Sequence, residues 1–433
     1  MAGAGDTAGG EPLASAPAMA EVQPLRAVHY DLANAGPLAD VVAPPYDVID
    51  AAQRAELVAR SAHNVVEIDL PAGDEPYQHA AALYREWQRS GVLVRDEEPA
   101  LWPLEQRYIG PDGAPRTRRG FFARVRVEEY GAGRIRPHER THPGPKEDRL
   151  RLTRATRANL SPIFSLYSDP AASAWQTFAA VTAGSPWGEV TDGDGTRHRL
   201  WRCGDPDAIE QVRSTLAGAE LLIADGHHRY ETARVYAEEI GGEGDHRYVL
   251  MCLVALEDPG LTVFPTHRLV RGLDDARRAA LAEAIERDFV ATAVSLQEIA
   301  PAAGAGPLEL GYLDAERALH LRLRDQAIAD AALADMPPAY RRLDTGVLEA
   351  LLLRGALGLS DDDISHLNGF GYARDSAQAV ALVRSGEYDA AFVLRPTPVE
   401  AVAEVAASGV NMPPKSTYFF PKVLTGLVMN PLA

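Results

Sequence analysis

The sharpest change of pattern in the chain falls at residues 221–242, LLIADGHHRYETARVYAEEIGG. Residues 221–224 are a short apolar run led by Glu220 and predict a buried strand. Apolar positions then recur at helical spacing, with Ala233, Val235, Tyr236 and Ile240 on one face, Glu231, Arg234, Glu238 and Glu239 on the other, and Gly241 and Gly242 as the stop. A further apolar run at 248–256 makes the unit strand, helix, strand. DGHHR, residues 225–229, is therefore a strand-to-helix turn.

The same reading organises the rest. Between 24 and 96 the apolar runs RAVHY, VVAPPYDVI and NVVEIDLP alternate with helical patterns at 51–60 and 77–90, an α/β alternation. ALWPLEQRYI and RRGFFARVRVEEY flank the turn-forming GPDGAP and predict a hairpin. Residues 133–170 are basic and proline-broken, with a short helix near 146–157. Helices follow at 274–288 and over DTGVLEALLLRGAL, with a hairpin over PLELGYLDAERALHLRLRD. Near the end a strand at 390–394 and a helix at 398–408 lead to a basic, hydroxyl-rich loop. The expected divisions are a disordered tail (1–23), an N-terminal α/β subdomain (24–130), a core carrying the turn (131–290), and a C-terminal α/β region (291–433) that supplies the loop.

Composition narrows the partners. The 433 residues carry 43 Lys and Arg against 61 Asp and Glu, a net charge of −18, so nucleic acid and anionic membranes are not expected partners, and any phosphate site must be a local basic pocket. The Ala-, Gly- and Pro-rich start lacks a charged n-region and an apolar h-region, and no apolar run approaches the roughly 18 residues that span a bilayer. Cys203 and Cys252 match no metal spacing and read as packing residues. A cytoplasmic protein is expected, with its oligomeric state open.

Three separated polar segments carry candidate chemistry: PHE with His138 and Glu139, DGHHR with Asp225, Gly226, His227, His228 and Arg229, and PPKST with Lys415, Ser416 and Thr417. At the turn the first helical N–H groups lack partners and the helix dipole is positive, which suits an anion; His227, His228 and Arg229 would add donors, and Gly226 admits a close approach. The plainer alternative is a helix capped by Asp225 with solvated histidines.

APPYDVI, RPHERT, GPKEDRLRL, ATRANLSPIF, ADGHHRYETA, FPTHRLV and MPPKSTYFFPK resemble the signature segments of the bacterial and archaeal family called domain of unknown function 1015, over about residues 26–426. More distantly, PHE, DGHHR, GEYDAAFVLRPTPVEAVAEV and PKST follow the order found in free L-serine kinases with a ParB/sulfiredoxin-like fold. That resemblance implies a ParB/sulfiredoxin-like core elaborated by the N-terminal subdomain, and a nucleotide-dependent kinase acting on a serine-like hydroxyl. It implies Glu139 as catalytic base with His228 beside it, Asp225, Gly226, His227, His228 and Arg229 on the phosphates of ATP or ADP, and His138, Lys415, Ser416 and Thr417 toward the acceptor. Mg²⁺ would ride on phosphate oxygens, with Asp225 the first carboxylate to join it. The chain departs from those kinases in the long spacing from Glu139 to Asp225, in PKST for PKTT, and in the aromatic Tyr418, Phe419 and Phe420 that follow. Two other readings remain: a ParB-like nucleotide switch, and sulfiredoxin-like chemistry, which would need a cysteine where the turn has histidines. His138 and His142 are lesser candidates for the base.

Overall fold

The computed structural model describes residues 20–433 except 132, 133, 140–142, 303 and 305. Among the described residues nine strands form one mixed sheet, in the order Ile135–Arg136, Leu221–Asp225, Ile163–Tyr167, Tyr248–Ala255, Pro115–Arg126, Trp102–Ile109, Arg197–Leu200 and Gly188–Thr191, with Val22–Gln23 beside Pro115–Arg126. Leu221–Asp225 runs parallel to Ile135–Arg136, and Tyr248–Ala255 parallel to Ile163–Tyr167; the other pairings are antiparallel. Six strands form a second, wholly antiparallel sheet: Phe289–Ala293, Ala318–Leu323, Glu309–Asp314, Ala390–Val393, His267–Val270 and Phe370–Ala373. The protein is thus mixed α/β, as expected.

Local chemistry explains most of the elements. Asp50 and Asp274 accept from the N–H groups of Gln53 and Arg277 and so start the helices Ala51–Arg60 and Asp275–Asp288. In GPDGAP, Gly113 adopts φ +75° and Gly110 N donates to Ala114 O at 2.8 Å, so Trp102 to Ile109 lie opposite Phe122 to Pro115. Cys203 and Cys252 are buried free thiols.

Three readings need correction. VVAPPYDVI and NVVEIDLP are not strands: they form the short helical elements Leu38–Val41, Tyr46–Val48 and Val66–Asp69. Pro44 and Pro45 have no N–H for a ladder, and Val41, Val42, Val65, Val66 and Ile68 are buried without the alternation a half-exposed strand needs. On the helix His227–Ile240 the buried stripe is Tyr230, Ala233, Tyr236 and Ala237, while Val235 and Ile240 face solvent.

Chain order and sheet membership differ. The nine-stranded sheet takes strands from both sides of residue 130, and the six-stranded sheet from both sides of residue 290. Most of the expected tail lies outside the described residues, while Val22, at its end, is buried against Val125. After the second sheet the chain returns: Tyr418–Phe420 pairs with Thr262–Phe264, Val28 N donates to Met429 O at 2.9 Å, and Met412 N donates to His138 O at 2.8 Å. That return brings PPKST to the turn.

Candidate functional site

The strand Leu221–Asp225 carries a bulge between Ile223 and Asp225 and ends where Gly226, at φ +97°, turns the chain into the helix His227–Ile240. Gly226 supplies no capping side chain. Asp225 does not turn to the helix either: its Oδ2 meets Lys422 Nζ at 3.1 Å and Arg229 Nη2 at 3.7 Å. Burial alone would raise its pKa, but the charges of Lys422 and then Arg229 outweigh burial and hold the carboxyl well below the usual range. The capped-turn alternative loses its cap.

Arg229 lies half-buried over the turn. Its Nη1 donates to Pro162 O, its Nε has no hydrogen-bond partner, and its guanidinium lies 6.0 Å from the ring of Tyr46, whose other neighbour is Arg149 at 4.1 Å. Burial between these groups pushes the Tyr46 hydroxyl up to about 12. A Cβ built on Gly226 would come within 2.9 Å of Arg229 Nε, so the glycine also makes room for the guanidinium.

The two histidines facing each other are neutral. Burial lowers the pKa of His138 and, more strongly, of His227, where the neighbouring His138 adds to the effect. His138 Nδ1 lies 2.7 Å from Ile223 O and so carries the proton, which leaves Nε2 to accept from Thr417 Oγ1 at 2.8 Å. His227 Nε2 accepts from His138 N at 3.3 Å. Thr417 therefore gives its proton to His138 and keeps its oxygen lone pairs for the cleft.

The PPKST loop is anchored by the second sheet. Arg268, buried on the strand His267–Val270, donates to Pro414 O at 3.0 Å, and Ser416 Oγ donates to Pro413 O at 2.7 Å and lies 3.0 Å from Thr345 Oγ1. Lys415 adopts φ +56°, and its N–H points at Glu139 Oε1, 3.4 Å away.

Glu139, Asp225, Gly226, His227, His228, Arg229, Lys415 and Thr417 all line one cleft of about 300 Å³, together with Lys422 and Tyr46. His138 and Ser416, expected to face an acceptor, do not line it. Both are buried, and their polar atoms are used to hold the loops. His142 lies outside the described residues. Asp225 does not suit magnesium, because its charge is already matched by two cations, and among the described residues no three His, Cys, Asp or Glu side chains gather as a metal centre. Lys422 and Tyr46, which line the cleft, and Arg268, which holds the PPKST loop, were not singled out in the sequence, although they lie in MPPKSTYFFPK, APPYDVI and FPTHRLV. That three motifs each held a cation or an aromatic residue was the available signal.

Fold and cleft together define a mixed α/β protein whose polar site opens at a strand-to-helix turn. Residues 22–346 match the family described as Protein of unknown function (DUF1015), and the chain belongs to that family. No curated protein matches the chain. Among solved structures it is similar to a conserved hypothetical protein from Pyrococcus furiosus (14% identity, 66% of this chain and 86% of that one, TM-score 0.33). It is also similar to a free serine kinase in complex with AMP (13%, 66% and 83%, TM-score 0.33) and to SbnI with a C-terminal truncation from Staphylococcus aureus (13%, 70% and 85%, TM-score 0.36).

Proposed function

We propose that the protein transfers a phosphoryl group from ATP or ADP to the hydroxyl of a free amino acid or similar small metabolite. The nine-stranded sheet then serves as its ParB/sulfiredoxin-like centre. The observation that carries this reading is the single cleft shared by Glu139, a carboxylate with no hydrogen bond to another side chain among the described residues, an uncapped helix N-terminus backed by Arg229 and Lys422, and the hydroxyl of Thr417. Phosphoryl transfer needs charge stabilisation, alignment and a proton acceptor more than covalent help from the protein. The helix N–H groups, Arg229 and Lys422 hold the phosphates. Glu139 takes the acceptor's proton as its oxygen bonds to the terminal phosphorus, and the bond from that phosphorus to the bridging oxygen breaks, leaving ADP or AMP. Thr417, limited to accepting by its bond to His138, orients a donor group of the acceptor such as an ammonium or a hydroxyl. Lys415, next to Glu139, offers the acceptor's carboxylate a partner.

The test is to incubate the protein with ATP or ADP, magnesium salts and a panel of hydroxy amino acids, and to look for phosphorylated product by mass spectrometry. Product on one of them is expected. Nucleotide turnover that is equally fast with no acceptor present would replace the kinase with a nucleotide switch.

A further inference from the structure

Beside the cleft lies a second chamber of about 320 Å³, and Val48, Tyr418 and Lys422 face both. Val42 and Leu57 give it an apolar wall from the N-terminal segment, and the turn at 192–194 closes the opposite side. That turn is rigid, since Asp192 accepts from Asp194 N at 3.0 Å and Thr196 N at 2.9 Å and meets His198 Nε2 at 2.8 Å. Asp194 stays exposed and has no ion pair among the described residues.

Lys422 stands at the junction, and a buried clamp fixes it there. Arg118, 1% exposed, donates to Pro421 O at 2.5 Å and to Gln106 Oε1 at 2.6 Å, and Gln106 Nε2 donates to Lys422 O at 3.1 Å. With its backbone held on the inner side, the lysine extends across the Tyr418 ring, 4.6 Å from its centre, to Asp225.

We propose that the nucleoside end of the phosphate donor occupies this chamber, with its phosphates passing Lys422 to reach the DGHHR turn. The inference rests on the phosphate reading above. A nucleoside needs an apolar slot for its base and acceptors for its ribose hydroxyls, and a phosphate chain needs a cation where it leaves the sugar. Val42 and Leu57 supply the apolar surface, Asp194 the acceptor and Lys422 the cation. Lys422, which the chamber shares with the cleft, sets the direction of the phosphates, while Arg60 and Arg374 also line the chamber. The N-terminal segment thereby acquires a role as the nucleoside-selecting wall.

Gly193 lines the chamber, and a Cβ built on it meets nothing within 4 Å, so Gly193→Trp fills the space without disturbing the fold. Gln53→Trp fills it from the other wall. Titration calorimetry with pyrophosphate, ADP and ATP separates the two ends of the ligand. Both variants should bind pyrophosphate like the parent and bind ADP and ATP at least about tenfold more weakly, about 1.4 kcal/mol. Variants that bind all three like the parent overturn the chamber assignment alone. A parent that binds neither pyrophosphate nor nucleotide overturns the phosphate reading, and this inference with it.

Discussion

Thr417 enters the cleft with its proton already committed, because a neutral His138 can receive it only at Nε2. Thr417→Val should therefore raise the acceptor's KM several-fold, up to about tenfold for one lost hydrogen bond of roughly 0.5–1.5 kcal/mol, and leave nucleotide affinity alone. Steady-state kinetics with the acceptor varied decides it; a loss of nucleotide binding instead would move Thr417 to the phosphates. At Arg229, bonds to a charged group contribute about 1.5–3 kcal/mol, so Arg229→Ala should cost at least about tenfold in nucleotide affinity. Unchanged binding by calorimetry in the folded variant would leave the guanidinium as a prop for Pro162. Single residues were legible where chemistry is local: Glu139, the DGHHR residues, Lys415 and Thr417 stand out as polar groups in short motifs. Lys422 was hidden because its partner Asp225 is distant in sequence, and the burial of Ser416 and His138 was not visible because a side chain bonded to backbone looks, in sequence, like one facing a ligand.

At the scale of elements, the turn depends on two features that a sequence expresses unequally. Gly226→Ala would hold an L residue at φ +97° and press a methyl on Arg229 Nε at 2.9 Å, so it should destabilise the fold by about 1–2 kcal/mol and weaken nucleotide binding together. Chemical denaturation and calorimetry on one preparation measure both. A stable variant with parent affinity would contradict the close approach. The facing histidines add a pH effect. Their folded pKa values lie below the ordinary 6.5, so the unfolded chain binds protons first, and the stability present above about 6.5 is lost as pH falls below it. Unfolding free energies measured from pH 7.5 to 5 should show this decline, and His227→Gln should flatten it; an identical slope would assign it to other groups. Helices with Asp caps and the hairpin around GPDGAP were legible because their signals are local. VVAPPYDVI was not, since its burial comes from the returning C-terminal segment, where Ala43 N donates to Thr425 O at 3.2 Å.

For the whole molecule, the return of the chain is what sequence could not convey: order along the chain suggested successive units, yet residues 412–431 go back to pair with Thr262–Phe264, Ala158–Asn159 and Val28, all of which precede the second sheet's last strands. Removing residues 411–433 should free the Val28 and Ala43 amides, which donate to Met429 and Thr425, and hydrogen exchange at those amides should rise. Retained protection would mean that the N-terminal segment is held without the return. No helix among the described residues is long and apolar enough to cross a membrane. The net charge of −18 makes the paired cations at the turn a local exception, and the function assigned to them depends on Glu139. Glu139→Gln keeps the size of the side chain and removes the basic oxygen. The most direct measurement is the rate of phosphorylated hydroxy amino acid formation by parent and Glu139→Gln protein at saturating nucleotide, with nucleotide affinity measured alongside. Loss of transfer by about 10² or more at unchanged affinity is the predicted result; transfer at the parent rate would contradict the assignment of the base and, with it, the account of the cleft.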